Sequence, residues 1–409
     1  MKYVIIGNSA AAIGTVEGIR QIDRDGPITI ISNEPYHTYS RPLISYLLYG
    51  KTDLERMKYR PDDFYEKNNV TPLLGETVVQ ILPDKKQVAL KSGKTVDYDK
   101  LMVATGSRPF VPPMEGLGQV EQKFSFMTLD DAKALEQAIT PKSRVLIIGA
   151  GLIGLKCAEG IRDRVAEMTV IDLAPRILPS ILDERGSAIV QKHIEGHGVR
   201  FILGDSVAKF QGKTAKLQSG KTVSFDILVV AVGVRPNTAL VSEAGGKVDR
   251  GILLDDHMET TLRDIYSAGD CVVSQDIAAG MPRILAILPN AYMQGECAGI
   301  NMAGGNKAFG KAIPMNAMGV FGLHMVTAGS YEGEEYVSES EGTYKKLVTK
   351  DGLLKGYIII GDVARAGIYT SLIREKTPLD AIDFELIREK PQLMAFSKRD
   401  RAKKLGGAI

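Results

Sequence analysis

The sequence contains no tryptophan, only three cysteines and only five histidines among its 409 residues. The cysteines, Cys157, Cys271 and Cys297, form no C-x-x-C pair, so neither a disulfide framework nor a thioredoxin-like redox motif is predicted. The histidines show no metal-ligand spacing, and we expect no metal site. Lys and Arg number 51 against 49 Asp and Glu, so no strong field is available to recruit nucleic acid.

Long apolar runs are also absent, and none approaches the roughly 18 residues that span a bilayer. The apolar stretch Val4–Ile6 is too short for the core of a signal peptide, so we expect a cytoplasmic protein with no membrane span. Hydrophobic content of 44% and charged content of 24% are typical of a globular chain. The length predicts two or three domains.

A complete dinucleotide-binding fingerprint is present at 144–154, which reads RVLIIGAGLIG. Gly149, Gly151 and Gly154 form G-x-G-x-x-G after a strand-like run, and Asp172 closes the next strand, MTVID, 18 residues after Gly154. The order of strand, glycine turn, helix, strand and acid is far more specific than the glycines alone.

The chain also contains an internal repeat. Residues 90–109 (LKSGKTVDYDKLMVATGSRP) align without gaps with residues 217–236 (LQSGKTVSFDILVVAVGVRP) at an offset of 127. A repeat of this length indicates two copies of one architecture. The first copy must then have its own turn, and GNSAAA at 7–12 lies where that turn should be, with Glu34 as its acid. Ser9 and Ala12 replace two glycines, and both are small enough for a nucleotide turn.

These turns, together with ATG at 104–106 and TLRDIYSAGD at 261–270, resemble the two-dinucleotide flavoprotein family related to glutathione reductase. The resemblance implies an α/β fold with two Rossmann-like domains. It implies an FAD-binding domain at 1–112 and 244–312, with an NAD(H)-binding domain inserted at 113–243.

The resemblance also implies roles for single residues. Gly7 and Ser9 would face the FAD pyrophosphate, Glu34 the adenosine ribose, and Asp270 the ribityl chain or the pyrophosphate region. The 149–154 turn would hold the NAD pyrophosphate, and Asp172 would accept from a ribose hydroxyl, which favours NADH over NADPH. The other residues expected at the cofactors are Ala10, Arg41, Pro42, Ala104, Thr105, Gly106, Arg108, Ile153, Gly233, Gly269, Asn290 and Ala291.

The segment 288–305 fits the family's helix whose N-terminus points at the flavin, where its dipole would stabilise negative charge on the reduced ring. Asn290 is expected to cap it. An ordinary amphipathic helix is the alternative.

The segment 34–50, EPYHTYSRPLISYLLYG, has no cysteine, although the family's disulfide reductases carry C-x-x-x-x-C there. No thiolate is therefore predicted to act in turnover. The stretch YSRPLIS instead resembles NADH–rubredoxin and ferredoxin reductases and the flavin region of NADH-dependent nitrite reductases. Arg41 and Pro42 would flank the flavin.

Two positions depart from those reductases, which commonly have a Lys–Glu ion pair near flavin N5. Tyr46 and Lys156 stand at the two positions, which indicates a rewired pair. Lys156 could lie at the hydride-transfer face as a catalytic residue together with Tyr46. It could equally be a surface lysine paired with Glu159.

After residue 312, strand-like segments separated by glycine-containing turns predict a small α+β domain at 313–380. The family's domain at this position dimerises in some members only, so a monomer and a homodimer both stay open. Residues 381–409 are expected to form a helical basic tail ending in SKRDRAKKLGGAI. Such a charge run is typical of a solvated helix, with docking of an acidic electron carrier as the alternative.

The sequence thus predicts an FAD-dependent NADH oxidoreductase that passes single electrons to a small iron–sulfur protein of the rubredoxin or ferredoxin type. One alternative is an NADH oxidase or quinone-type reductase that uses a small acceptor directly. Another is an FAD electron-transfer subunit that acts only within a larger complex.

Overall fold

The computed structural model describes residues 1–405. The first segment begins with strands and helices in alternation, because β-branched apolar runs alternate with amphipathic ones, and it ends in a run of strands. Its elements are β1 (Tyr3–Ile6), α1 (Ala10–Ile22), β2 (Ile28–Ser32), α2 (Ile44–Leu48), α3 (Phe64–Lys67), β3 (Val70–Leu74), β4 (Val78–Leu82), β5 (Gln87–Leu90), β6 (Thr95–Asp97), β7 (Lys100–Val103) and β8 (Ser107–Pro109).

The next segment has a similar order, preceded by one additional strand and helix and followed by one additional helix. It contains β9 (Lys123–Phe124), α4 (Leu129–Ala138), β10 (Arg144–Ile148), α5 (Leu152–Ile161), β11 (Glu167–Asp172), α6 (Glu184–Glu195), β12 (Arg200–Leu203), β13 (Val207–Gln211), β14 (Thr214–Leu217), β15 (Thr222–Ser224), β16 (Ile227–Val230), β17 (Val234–Pro236) and α7 (Ala239–Glu243).

The remaining elements complete the first fold and build a separate sheet. They are β18 (Ile265–Ser267), β19 (Ser274–Asp276), β20 (Met281–Arg283), α8 (Leu288–Met302), β21 (Met315–Val320), β22 (Leu323–Gly329), β23 (Glu334–Ser340), β24 (Thr343–Lys350), β25 (Leu353–Ile360), α9 (Gly367–Glu375), α10 (Phe384–Glu389) and α11 (Lys398–Leu405).

Two parallel five-stranded sheets confirm the predicted pair of Rossmann-like folds. The first has the order β18-β7-β1-β2-β3 and the second the order β12-β11-β10-β16-β9. Their central strands contain the continuous apolar runs YVII and VLII, as expected for strands covered on both faces.

The internal repeat occupies equivalent places in the two sheets. Ala104 follows β7 and donates its N–H to Ile6 O at 2.8 Å, and Ala231 follows β16 and donates to Ile148 O at 2.7 Å. Small antiparallel sheets, β4-β5-β6 and β13-β14-β15, precede these two strands. The offset of 127 therefore relates corresponding strands of two copies.

The chain forms two compact units. The first contains residues 1–178, 194–274 and 282–310, and both parallel sheets belong to it. The second contains residues 179–193, 275–281 and those from 311 onward. The boundaries predicted from the sequence, at 112, 243 and 312, stay predictions.

The second unit has an antiparallel sheet of order β21-β22-β25-β24-β23, which confirms the predicted C-terminal α+β region. Helix α9 packs on this sheet through Tyr369, which lies 5.5 Å from Tyr357 between ring centroids. Helices α10 and α11 fall within the predicted tail, and its last residues, 406–409, lie outside the described residues. Within 1–405, no helix combines the length and apolar character that crossing a membrane requires.

Helices α1 and α8 cross at glycines on both sides. A Cβ atom at Gly14 would lie 2.3 Å from Tyr292 O, and one at Gly18 would lie 2.2 Å from Glu296 O. In return, a Cβ at Gly295 would lie 2.0 Å from Ala11 O, and one at Gly299 would lie 2.2 Å from Thr15 O. Glycine thus lets the two backbones touch, as in small-residue helix crossings generally.

We predict that Gly295→Ala lowers the free energy of unfolding by about 1–3 kcal/mol, because the added methyl group overpacks the crossing. Gly367→Ala is the matched control, since Gly367 begins helix α9 and nothing lies within 4 Å of the place that its Cβ would take. The control should be neutral or slightly stabilising. Urea unfolding followed by circular dichroism measures both, and equal midpoints would contradict the crossing argument.

Candidate functional site

The first glycine turn connects β1 to α1. Gly7 has φ +120°, and a Cβ there would lie 2.2 Å from Ala104 O, so only glycine fits. Ser9 precedes the helix but makes no side-chain capping bond. The Asn8 side chain is held on both sides, because Tyr65 Oη donates to its Oδ1 at 2.9 Å and its Nδ2 donates to Tyr36 O at 3.2 Å.

A cavity of about 490 Å³ opens beside this turn, in the first unit. Its walls come from α1, the segment after β2, the segment after β7 and the N-terminal turn of α8. The predicted residues that line it are Gly7, Ser9, Ala10, Glu34, Arg41, Ala104, Thr105, Gly106, Arg108, Gly269, Asp270 and Ala291. Residues that line it without having been predicted include Asn8, Glu76, Met127, Thr128 and Asn237. The structure thus brings most of the residues predicted for FAD to one place.

The remaining predicted residues do not line this cavity. They are Pro42, Tyr46, Asn290, Gly233 and those of the second turn, namely Gly149, Gly151, Ile153, Gly154, Lys156 and Asp172. The expected cap at Asn290 is wrong, because α8 begins at Leu288 with Ile287 in the capping position. Pro289 explains the earlier start, since proline is favoured in the first turn, where its missing N–H needs no partner.

Gly269 and Asp270 form a turn that faces the cavity. Gly269 has φ +89°, and its N–H donates to Gln294 Oε1 at 2.9 Å. Gln294 is 1% exposed, and its Nε2 donates to Ser274 Oγ, so helix α8 fixes the turn from below. Burial raises the pKa of Asp270, while the Ser107 hydroxyl and the charge of Arg41 oppose that shift.

Glu34 and Arg41 form an ion pair at the cavity wall. Tyr39 Oη donates to Glu34 Oε2 at 2.6 Å and accepts from Leu129 N at 3.0 Å. Burial, with Glu34 adding to it, raises the pKa of Tyr39, so the phenol stays a donor. Burial opposes the charge on Arg41, but Tyr39 and Glu34 together raise its pKa above the ordinary value.

The second glycine turn repeats the geometry of the first. Gly149 has φ +113°, and a Cβ there would lie 2.2 Å from Ala231 O. A Cβ at Gly7 would lie equally close to Ala104 O in the first turn. Nothing lies within 4 Å of the position of a Cβ at Gly151, which leaves the approach to α5 open. The Asp172 carboxylate stands at this turn, where it accepts from Ala150 N at 2.6 Å and from Ala174 N at 2.8 Å.

Gly154 and Ile153 lie in the first turn of α5. A Cβ at Gly154 would lie 2.0 Å from Gly149 O, so this glycine allows the helix to approach its own turn. Gly233 has φ +119° at the start of the β17 connection, away from the cavity walls.

Tyr46 and Lys156 are in direct contact, as their joint replacement indicated. Lys156 Nζ lies 4.1 Å from the Tyr46 ring centroid and also pairs with Glu159. The i+3 ion pair is therefore confirmed, but the lysine is not a surface residue, because the side chains of Lys156 and Glu159 are 17% and 3% exposed. The contact joins α2 to α5.

The three thiols are free and buried, and Cys157 and Cys297 belong to the hydrophobic core. Burial raises the pKa of each thiol, that of Cys297 to about 11, so none is a thiolate near neutral pH. Cys271 follows Asp270 but does not itself line the cavity; its Sγ lies behind the wall, 3.5 Å from Ser267 Oγ and 3.4 Å from Ala268 O.

One group of possible metal ligands occurs within the described residues. Asp255, Asp256 and His257 place ligand atoms within 4.8 Å of one another on the surface. His257 Nδ1 already bonds to Asp256 Oδ1 at 2.8 Å, and its Nε2 to Asn306 Oδ1 at 2.6 Å. The absence of a metal stays a prediction.

In each parallel sheet the central strand runs into a glycine turn at the start of a helix, which is the arrangement of a dinucleotide-binding fold. The sequence profile of the pyridine nucleotide-disulphide oxidoreductases matches residues 1–295, and that of the rubredoxin NAD+ reductase C-terminal domain matches residues 314–377. The chain belongs to the pyridine nucleotide-disulphide oxidoreductase family. It is therefore an oxidoreductase that uses a pyridine nucleotide, and a flavoprotein.

Curated relatives match most of the chain. The NADH-dependent phenylglyoxylate dehydrogenase subunit epsilon of Aromatoleum evansii is 32% identical over 92% of both chains. The NADH-rubredoxin oxidoreductase of Clostridium acetobutylicum is 26% identical over 89% of this chain and 92% of its own. The chain spans about half the length of two other curated relatives that it matches.

Solved structures show the same fold. A covalent putidaredoxin reductase–putidaredoxin complex superimposes with a TM-score of 0.87 over 100% of this chain and 99% of its own, at 23% identity.

Several site residues could not be predicted from the sequence, because a single polar residue outside a motif does not indicate its partner. Asn8, Gln294 and Asn237 are polar residues whose partners lie far away in sequence. Asn237 is held by Thr105, whose Oγ1 donates to Asn237 O at 2.8 Å and whose carbonyl accepts from Asn237 Nδ2 at 2.9 Å. The offset repeat could have directed attention to Asn237, since it follows the second RP pair directly.

We predict that Cys271→Ser keeps NADH-driven reduction of an acceptor within a few-fold of the parent, because a buried, protonated thiol cannot attack a disulfide. Cys297→Ser serves as the matched control, being equally buried. A loss of about a hundredfold in Cys271→Ser alone, roughly 2.7 kcal/mol of barrier, with FAD still bound, would show that a thiol acts in turnover.

Proposed function

We propose that this chain takes hydride from NADH onto bound FAD and passes single electrons to a small iron–sulfur protein. The observation that carries the proposal is the 34–50 segment, which supplies Arg41 to the cavity wall and Tyr39 to its neighbour Glu34 but no cysteine, so electrons must leave to an external acceptor. The match of residues 314–377 to a rubredoxin NAD+ reductase domain supports this kind of acceptor.

The residues of the cavity fit FAD. Gly7 lets the backbone turn tightly under the N-terminus of α1, whose amide groups favour a pyrophosphate. Ala291 brings the first turn of α8 to the same cavity, and Asp270 offers a carboxyl group held by the Gly269 turn. When bound there, FAD supplies hydride acceptance and one-electron release.

The remaining residues would hold and orient the reactants. Arg41, fixed by Glu34, would place a positive charge at the cavity wall. Lys156 would place a second positive charge at the contact between α2 and α5, where Tyr46 and Glu159 hold the lysine side chain. We therefore assign Lys156 and Tyr46 to positioning the charge near the hydride-transfer face rather than to proton transfer.

A second function has a specific observation in its favour. The relative that is 32% identical over 92% of both chains is named as a subunit of a larger dehydrogenase. By that analogy the chain would be an FAD electron-transfer subunit whose acceptor is a partner within a complex.

Anaerobic reduction by NADH, followed by mixing with separate acceptors, tests the proposal. The purified protein should carry one FAD, and a rubredoxin or a ferredoxin should reoxidise it much faster than oxygen or a quinone. Rapid reaction with oxygen and none with the iron–sulfur proteins would support a small-acceptor reductase. Slow reaction with every acceptor would favour the subunit, and a protein that cannot bind FAD would contradict all three.

We also predict a preference for NADH, because the Asp172 carboxylate at the second turn would repel a 2′-phosphate. Asp172→Arg should lower kcat/KM for NADH and raise it for NADPH. Asp172→Asn keeps an acceptor for Ala150 N and checks that the turn survives. Asp163→Arg, an exposed acid after the opposite end of α5, is the matched control. If kcat/KM for NADH and for NADPH are both unchanged in Asp172→Arg, Asp172 does not contact the ribose.

A further inference from the structure

Two arginines face each other on the ribbon formed by β8 and β17. The antiparallel register pairs Arg235 with Arg108, Val234 with Pro109 and Pro236 with Ser107. Residues directly opposite in such a pair project from the same face, and like charges placed there repel. The pairing therefore costs stability unless an anion lies between the two side chains.

The protein supplies no such anion among residues 1–405. Arg108 Nη1 donates to the neutral amide of Asn237 at 3.2 Å, and the Arg235 guanidinium lies 4.1 Å above the Phe110 ring. Neither arginine forms an ion pair with a carboxylate of the described chain, and both are exposed. The two positive charges are thus oriented but not neutralised.

The surroundings of the pair resemble a protein-binding surface. Val111 is 50% exposed beside the half-buried Phe110, and Pro109, Pro112 and Pro113 stiffen the backbone. Arginine and aromatic side chains held rigidly on an exposed surface are the residues that dominate binding energy at interfaces. Ser107, Arg108 and Pro109 also line the cofactor cavity, so this surface lies at its rim.

We propose that Arg108 and Arg235, with Phe110 and Val111, form the docking surface for an acidic patch on the protein electron acceptor. A carboxylate of the partner would accept bidentate bonds from one guanidinium and shield it from the other. Complementary charge would also speed the encounter and orient the partner at the rim of the flavin cavity. This inference rests on the proposed function and names the chemistry by which its acceptor is recognised.

The phosphates of a bound dinucleotide are the competing anion. Arg108 lines the cavity and was predicted to contact the cofactor, whereas Arg235 is not among the residues that line it. Arg235 is accordingly the residue to change. Measuring cofactor binding in the variant distinguishes a partner's carboxylate from a dinucleotide phosphate as the anion between the arginines.

The test compares Arg235→Glu with Arg24→Glu. Arg24 is exposed and follows the C-terminal end of α1, about 20 Å along that helix from the turn at the cavity. Steady-state NADH oxidation is measured with an acidic rubredoxin, with an acidic ferredoxin and with dichlorophenolindophenol, a small acceptor that needs no docking surface. Each is measured from low to high ionic strength.

We expect Arg235→Glu to raise KM for the protein acceptors about tenfold at low salt, with the difference shrinking as salt rises. Arg235→Gln should give a smaller rise. FAD content, KM for NADH and the dye rate should match those of the parent, and Arg24→Glu should behave as the parent in every assay.

Three outcomes would overturn the inference in distinguishable ways. If a protein acceptor that the parent reduces has the same KM with Arg235→Glu, the docking surface is contradicted and the proposed function is not. Loss of FAD or a raised KM for NADH would assign the arginine pair to dinucleotide phosphates. Failure of the parent to reduce any iron–sulfur protein, with a normal dye rate, would remove the proposed function together with the inference that depends on it.

Discussion

The close crossing of α1 and α8 is the constraint on which the cavity beside Gly7 depends. Each helix places glycines against the backbone carbonyls of the other, with distances near 2 Å to the positions where Cβ atoms would stand. The two helices therefore act as one rigid pair. Since each sends its N-terminal turn to the cavity, the crossing fixes the separation of two positive dipole ends at one wall.

The tyrosines of the segment from Tyr36 to Tyr46 connect the first parallel sheet's fold to the second. Tyr36 Oη bonds to Asp130 and accepts from Lys133 Nζ at 3.1 Å. Tyr39 reaches the N–H of Leu129 at the start of α4, and Tyr46 lies under Lys156 of α5. Tyrosine suits this work because it combines a large apolar ring with one polar tip. This segment, which contains no cysteine, thus links the two folds through its tyrosines.

The sequence predicted what depends on local pattern. The second turn, the repeat and the first turn followed from glycine spacing and an offset of 127, and both sheets have the predicted strands. It predicted that Tyr46 and Lys156 belong together, but not that their contact is a cation over a ring. The cap at Asn290 failed because Pro289 starts the helix earlier. Gln294 could not be recognised, since its role exists only once α8 lies beneath Gly269.

The place of β18 and α8 in the chain has a consequence for the order in which the protein is made. The cavity needs Gly7 near one end of the chain and Ala291 almost three hundred residues later, and β18 must pair with β7 to complete the first sheet. All strands of the second sheet lie between β7 and β18 in the sequence, so they are synthesised before the first sheet can be completed. The first sheet therefore stays incomplete, with the apolar strands β1 to β7 only partly covered, while the inserted second sheet is synthesised and folds on local contacts. Long-range pairing of this kind is slow, so the cavity wall is complete only at the end of synthesis of this region, when α8 reaches α1.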